Sequence, residues 1–329
     1  MMQDWKQALA QFNRSSTRKA VWQLINSVVP FLAIMALMTV LVVRDWPYWV
    51  VLALALPATG MQIRIFIFFH DCCHGSYFAS KRANTITGYL TGILTLTPFD
   101  SWRHSHNVHH STSGDLDRRG TGDVWTMTVD EYLAAPRGKR LGYRLVRNPV
   151  FLLLVVPIWF LITYRIPGKV GARSVWITNA ALAAIITAFT LTVGWQTYLM
   201  VQLPVALLAW SAGIWLFYVQ HQYEDAYWAR SDERTVEDAA LKGSSYYKLP
   251  RVLQWFTGNI GLHHIHHLRP RIPNYHLQDC QDSIPLLQSV PPLTLRRSLK
   301  SLVLNLWDEQ QQRMVGFGAI RGRARMRQG

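Results

Sequence analysis

Apolar residues in this chain run in long blocks, not at the spacing of surface helices. Val21 to Val43 carries no charge and stops at Arg44-Asp45; a helix that crosses a bilayer needs about 20 largely apolar residues. A second block, Trp46 to Phe69, opens on Trp46, Tyr48 and Trp49, residue types that settle at the membrane interface. Its Gln62 and Arg64 lie near the far end, where an arginine can snorkel to the headgroups. Three further blocks follow at Val150 to Tyr164, Val175 to Trp195 and Tyr198 to Gln220. The first of these is short, contains Pro157 and has basic residues on both sides, Arg137, Lys139, Arg140, Arg144 and Arg147 before it and Arg165, Lys169 and Arg173 after it. Positive-inside logic holds both flanks on one side, so 150–164 reads as an interfacial or re-entrant segment, not a span. Ile86 to Phe99 reads as a second membrane-surface segment.

The expected fold is an all-α integral membrane protein. Four transmembrane helices form two hairpins, the second turning near Gly194 to Thr197, and a cytoplasmic helical cap lies on one side. Residues 1–20, with Lys6, Arg14, Arg18 and Lys19, form a cytoplasmic N-terminal segment. Residues 21–290 form the membrane domain, and 291–329 a cytoplasmic basic tail ending in Arg321, Arg323, Arg325 and Arg327. That tail suits anionic lipid or an acidic electron donor, and equally a disordered end. The first apolar block is too long for a cleavable signal and lacks a small-residue exit site.

Composition agrees with a membrane reading: half of the residues are hydrophobic and only 16% are charged, against about 25% in soluble domains. Three cysteines, Cys72, Cys73 and Cys280, make no disulfide framework and fit a reducing, cytoplasmic face. The net charge of +15 would suggest nucleic acid on a soluble protein. Here the charges flank apolar blocks, and neither a basic helix nor an aromatic-studded sheet presents itself, so no nucleic-acid partner is expected.

The chemistry lies in the histidines. There are 12, none before residue 70, and most fall in three clusters beside apolar blocks. His70 and His74 are spaced i, i+4. His106, His109 and His110 are spaced i, i+3, i+4, and His263, His266 and His267 repeat that triplet, so each set shares a helix face. His221 stands alone at the end of the last apolar block. These are too many imidazoles for one four-coordinate zinc and suit two metals of higher coordination number. No Cys-based zinc spacing, His-Glu-x-x-His or Glu-x-x-His occurs, which excludes common zinc sites and a ferritin-like centre. His104, His264 and His276 read as surface or supporting residues. Asp71, Asp115, Asp117, Glu224 and Asp225 are candidates to orient imidazoles through the second ring nitrogen. Trp102, Trp125, Trp228 and Trp255 suit either an apolar channel or an ordinary membrane interface.

The order H-x₃-H, H-x₂-H-H, H-x₂-H-H resembles the membrane fatty acid desaturase/hydroxylase superfamily. The surrounding His70-Asp71-Cys72, His106-Asn107-Val108-His109-His110, Ser113 to Trp125, Val219 to Asp225 and Asn259 to Leu268 are similar to bacterial acyl-lipid desaturases of the delta-12/delta-5 kind. The likeness covers roughly residues 20–290. It implies a di-iron centre held by His70, His74, His106, His109, His110, His263, His266 and His267, with His221 as a further ligand, O₂ as co-substrate and a membrane lipid acyl chain as substrate. One departure is Cys73, where related sequences often have glycine; on a helix it points off the ligand face. With no fused heme domain or cysteine-rich ferredoxin module, the electrons are expected from a separate donor such as ferredoxin with its reductase. The expected location is a bacterial inner membrane with the site facing the cytoplasm. A hydroxylase or ketolase of the same superfamily is the alternative reading. A His-rich metal transporter or sensor is the remote one, since it predicts ionisable groups inside the spans and these hold almost none. The sequence leaves open the double-bond position, chain length, acyl carrier, electron donor and oligomeric state, and whether 150–164 spans the membrane.

Overall fold

A computed structural model of the chain describes residues 4–320. Four helices are long and apolar enough to cross a membrane: Thr17–Val43, Tyr48–His74, Ala172–Thr192 and Trp195–His221. They pair as two hairpins, joined at residues 44–47 and 193–194. The first, second and fourth spans share a core of Phe31, Met38, Val51, Ala55, Ala58, Ile65, Val201 and Val205. Trp22, Trp49, Leu56, Trp176 and Leu191 point outward, each more than half exposed, as expected where the surrounding medium is lipid.

The spans lie near the expected positions. The second continues through the first histidine cluster to His74, and the fourth ends at His221. The segment expected at the membrane surface, Ile86 to Phe99, is mostly a helix, Lys81–Leu94, folded back along the second span. Gly92 makes this packing close: a Cβ there would lie 2.6 Å from the Thr97 carbonyl oxygen and 3.1 Å from the Phe69 ring. The 150–164 segment starts at Asn148, whose Oδ1 accepts from the backbone of Val150 and Phe151 at 3.0 and 3.3 Å. It joins the amphipathic helix Arg137–Val146 at a 67° bend. Such a bend is compatible with a re-entrant element and equally with a broken span.

The cap lies beyond the C-terminal ends of the second and fourth spans. It contains the helices Phe99–Thr112 and His263–Leu268 and two small sheets. Here the fold corrects the sequence reading. Residues beyond 290 are not a tail as far as Ile320. Pro292–Thr294 pairs with Tyr246–Lys248. Leu306–Asp308 lies between Met127–Thr128 and Arg313–Val315, and Trp307 is fully buried. Strands of two or three residues are too short for alternation to show in sequence. The four C-terminal arginines lie outside the described residues. The N-terminal segment also packs inward, with Leu9 against Ile265 and Leu277 of the cap.

Replacing Gly92 with alanine forces a Cβ against a backbone oxygen that cannot rotate away. The expected cost is about 1–3 kcal/mol, read as a lower thermal midpoint of the detergent-solubilised protein. Gly142→Ala, where nothing lies within 4 Å, is expected to hold or raise the midpoint, since alanine favours helix by about 1 kcal/mol.

Candidate metal centre

Each histidine cluster reaches the centre by a different local device. The second span carries His70 and His74 one turn apart and ends at Gly75, which takes the left-handed conformation. Phe99–Thr112 starts after Pro98 and carries His106, His109 and His110. His221 is the last residue of the fourth span, and His263–Leu268 is a short helix holding the third cluster.

The nine rings meet as two groups. His70, His74, His106, His110 and His266 place one ring nitrogen each within 4.8 Å of one another, and so do His109, His221, His263 and His267. Both triplets are therefore divided: His109 leaves its helix neighbours for the second group, while His266 leaves its own for the first. The groups touch where His110 stacks on His267 with ring centroids 4.2 Å apart.

The hydrogen bonds fix which nitrogens face inward. His109 Nδ1 lies 2.6 Å from the Asp123 carboxylate, and His221 Nδ1 lies 3.1 Å from the Gly243 carbonyl oxygen. Both oxygens only accept, so each Nδ1 donates and each Nε2 carries a lone pair. Yet these two Nε2 atoms are 3.2 Å apart. In neutral rings no proton lies between them, an arrangement that a metal cation would satisfy. His221 Nε2 is in turn 3.0 Å from His263 Nε2, and His110 Nε2 is 3.1 Å from His106 Nε2 and 2.9 Å from His266 Nε2. A metal–imidazole bond of about 2.1 Å sets neighbouring corners of an octahedron roughly 3.0 Å apart, so this spacing fits. His74 Nε2 and His267 Nε2 are buried without a partner. Burial, and then the neighbouring imidazoles, hold His106, His110, His263, His266 and His267 well below the ordinary histidine range. They are thus neutral, the form that binds metal.

One aromatic residue lies against each group. Trp102 stacks on His106 at 4.2 Å, and Phe217 meets His109 edge-on at 5.1 Å. Of the four candidate tryptophans, Trp102 alone packs its ring against the clusters. Trp125 packs on Tyr143, Trp228 is buried near Trp307, and Trp255 lies beside Arg64. Phe217 carries no sequence signal, being one apolar residue in an apolar helix.

Of the carboxylates expected to orient imidazoles, Asp71 reaches one: its Oδ1 is 3.2 Å from His70 Nδ1. The other four are placed differently. Asp115 accepts from Ser231 and from the backbone of Asp117 and Arg118. Asp117 pairs with Arg230, Glu224 pairs with Lys300, and Asp225 is exposed. These residues are near the clusters in sequence, but Asp115 is buried within its own turn, and Asp117, Glu224 and Asp225 face the cap surface. The residue that sequence reasoning missed is Asp123. Gly122 brings it back to His109 with φ +73°, and a Cβ at Gly122 would lie 2.7 Å from the Ser105 carbonyl oxygen. The Gly120-x-Gly122-Asp123 run was the available signal. His104 is exposed, and His276 lies 3.6 Å from Asp279. His264 is buried against Gln281 at 3.0 Å, outside both groups. Cys72 and Cys73 turn away from the rings into an aromatic cluster with Phe68, Phe69 and Tyr77.

Comparison with known proteins gives a consistent picture. Residues 44–286 match the family model described as fatty acid desaturase. The chain is 47% identical to a fatty acid desaturase of Bacillus subtilis (strain 168), over 95% of this chain and 90% of the relative. It is 24% identical to a chloroplastic omega-6 fatty acid desaturase of Spinacia oleracea, covering 72% of this chain and 54% of that protein. With a chloroplastic sn-2 acyl-lipid omega-3 desaturase (ferredoxin) of Arabidopsis thaliana it shares 26% identity, over 71% of this chain and 55% of the relative.

Removing the Asp123 carboxylate as Asp123→Asn is expected to weaken metal binding by roughly 10- to 100-fold. Asp225→Asn, on the exposed surface, is expected to leave it unchanged. Titration of metal-free protein with Fe(II) measures both.

Proposed function

The chain belongs to the fatty acid desaturase family, and from that premise we propose that its two imidazole groups hold a pair of iron ions that serve desaturation of a membrane lipid acyl chain. The observation that carries this reading is the pair of buried Nε2 lone pairs on His109 and His221, facing each other at 3.2 Å. The first iron would be held by His70, His74, His106, His110 and His266, the second by His109, His221, His263 and His267.

Acyl C–H bonds offer no acidic proton, so an acid or base from the protein cannot start the reaction. When bound, the iron pair supplies the activation of O₂ that removal of two vicinal hydrogens needs. The overall change turns CH₂–CH₂ and O₂ into CH=CH and two waters, with two electrons and two protons taken up. The residues of this chain supply the setting. Asp71 and Asp123 hold the His70 and His109 rings with Nε2 inward, as does the Gly243 carbonyl for His221. Burial keeps water away from the rings. Trp102 and Phe217 give an acyl tail apolar faces next to the rings. Because both groups sit at the ends of spans, a tail already in the bilayer reaches them without leaving an apolar path.

We assign the electrons to a separate donor, a ferredoxin with its reductase. One plant relative carries ferredoxin in its name. We assign the cap to the cytoplasmic side of a bacterial inner membrane, and the basic N-terminal segment supports the sidedness.

Expression in a host without desaturases, followed by mass spectrometry of its lipids, is expected to reveal new double bonds. His106→Ala at equal protein level is expected to abolish them, and His104→Ala to retain them. New hydroxyl groups in place of double bonds would overturn desaturation. Active purified protein without iron would overturn the metal assignment.

A further inference from the structure

Asp71 is held from two sides. Its Oδ1 faces His70 Nδ1, while its Oδ2 accepts the backbone N–H of Asn274 at 2.7 Å and the Asn274 side-chain amide at 2.8 Å. Asn274 opens the helix Asn274–Ser283, so the carboxylate meets the positive end of that helix. Asn274 is itself fully engaged. Its Oδ1 accepts from Gln23 of the first span at 2.9 Å, and its carbonyl accepts from Asn259 at 3.1 Å. Gln23, Asn274, Asp71 and His70 are all buried. They form one polar chain from the first span to the first group, crossing 203 residues of sequence between Asp71 and Asn274.

We infer that Asn274, supported by Gln23, is a positioning residue for the metal bound by the first group. This rests on the reading that the groups bind metal. The argument is one of exclusion. Asp71 needs donors for both oxygens in a dry interior, because an unsatisfied buried carboxylate oxygen is costly. With Asn274 occupying Oδ2, Oδ1 is left for the imidazole, and His70 is held as its Nδ1–H tautomer. Asn274 lies six residues beyond Leu268, where the third-cluster helix ends. The same contact therefore sets the distance between that cluster and the first, whose His70 and His266 rings are 4.3 Å apart. Among the described residues, the second group's hydrogen bonds run to Asp123 and Gly243 and share none of these partners.

The inference predicts a selective defect. In Asn274→Asp a second carboxylate faces Asp71 and the donated hydrogen bond is lost. Metal-free full-length protein in detergent is titrated with Fe(II), and bound iron is counted by elemental analysis. The expected result is two equivalents for the unmodified protein. In the variant one equivalent is weakened roughly 10- to 100-fold and the other keeps its affinity. Asp279→Asn, on the exposed side of the same helix, is expected to bind like the unmodified protein. Two unchanged equivalents in Asn274→Asp would overturn the inference and leave the metal reading intact. Equal weakening of both equivalents would also overturn it, by marking a structural role only. No iron bound by the unmodified protein would overturn the metal reading itself. Should Asn274→Asp fail to accumulate, Asn274→Ser keeps the backbone N–H and small volume, and is read by the same outcomes.

Discussion

Nine imidazoles facing one another in a dry interior set the central constraint on this molecule. A ring whose Nδ1–H is committed outward has only a lone pair to turn inward, and two such lone pairs at 3.2 Å repel. A metal cation would resolve the conflict, and much of the cap serves to hold the rings in that otherwise unfavourable arrangement. The small sheets and the buried Trp307 brace the loops behind the rings. The two carboxylates at the outer nitrogens decide which atom each ring presents.

The membrane spans serve the same end. The second and fourth continue past their apolar blocks as unbroken helices, so His70, His74 and His221 sit on rigid elements, which place ligands more closely than loops can. The helix Phe99–Thr112 and the third-cluster helix then close over them. Each divides its three histidines between the groups, so neither group can form from one part of the chain alone. Binding of metal at either group is thereby tied to the tertiary fold.

The aromatic residues beside the two groups differ in kind. Trp102 lies face-on to His106, whereas Phe217 meets His109 by its edge. Both leave an apolar surface next to the rings, which suits a hydrocarbon tail and excludes water. On the proposed reading, desaturation asks little hydrogen-bond recognition of the substrate at the reacting carbons; the bilayer would deliver the tail and the rings would hold the metal.

Much of this was legible along the chain, because block length and histidine spacing are local quantities. Uncharged runs of about 20 residues announce spans, and i, i+3, i+4 spacing puts imidazoles on one helix face. What no local pattern contains is how separate faces combine. The division of each triplet between two groups, the return of Asp123 through the Gly122 turn, and the distant contact of Asn274 with Asp71 depend on loops meeting across the cap. So does the folding of residues beyond 290 into short strands. Sequence determined which residue types would face one another at the membrane edge; the tertiary structure decided which ring pairs with which, since that choice is made by distances between segments far apart in the chain.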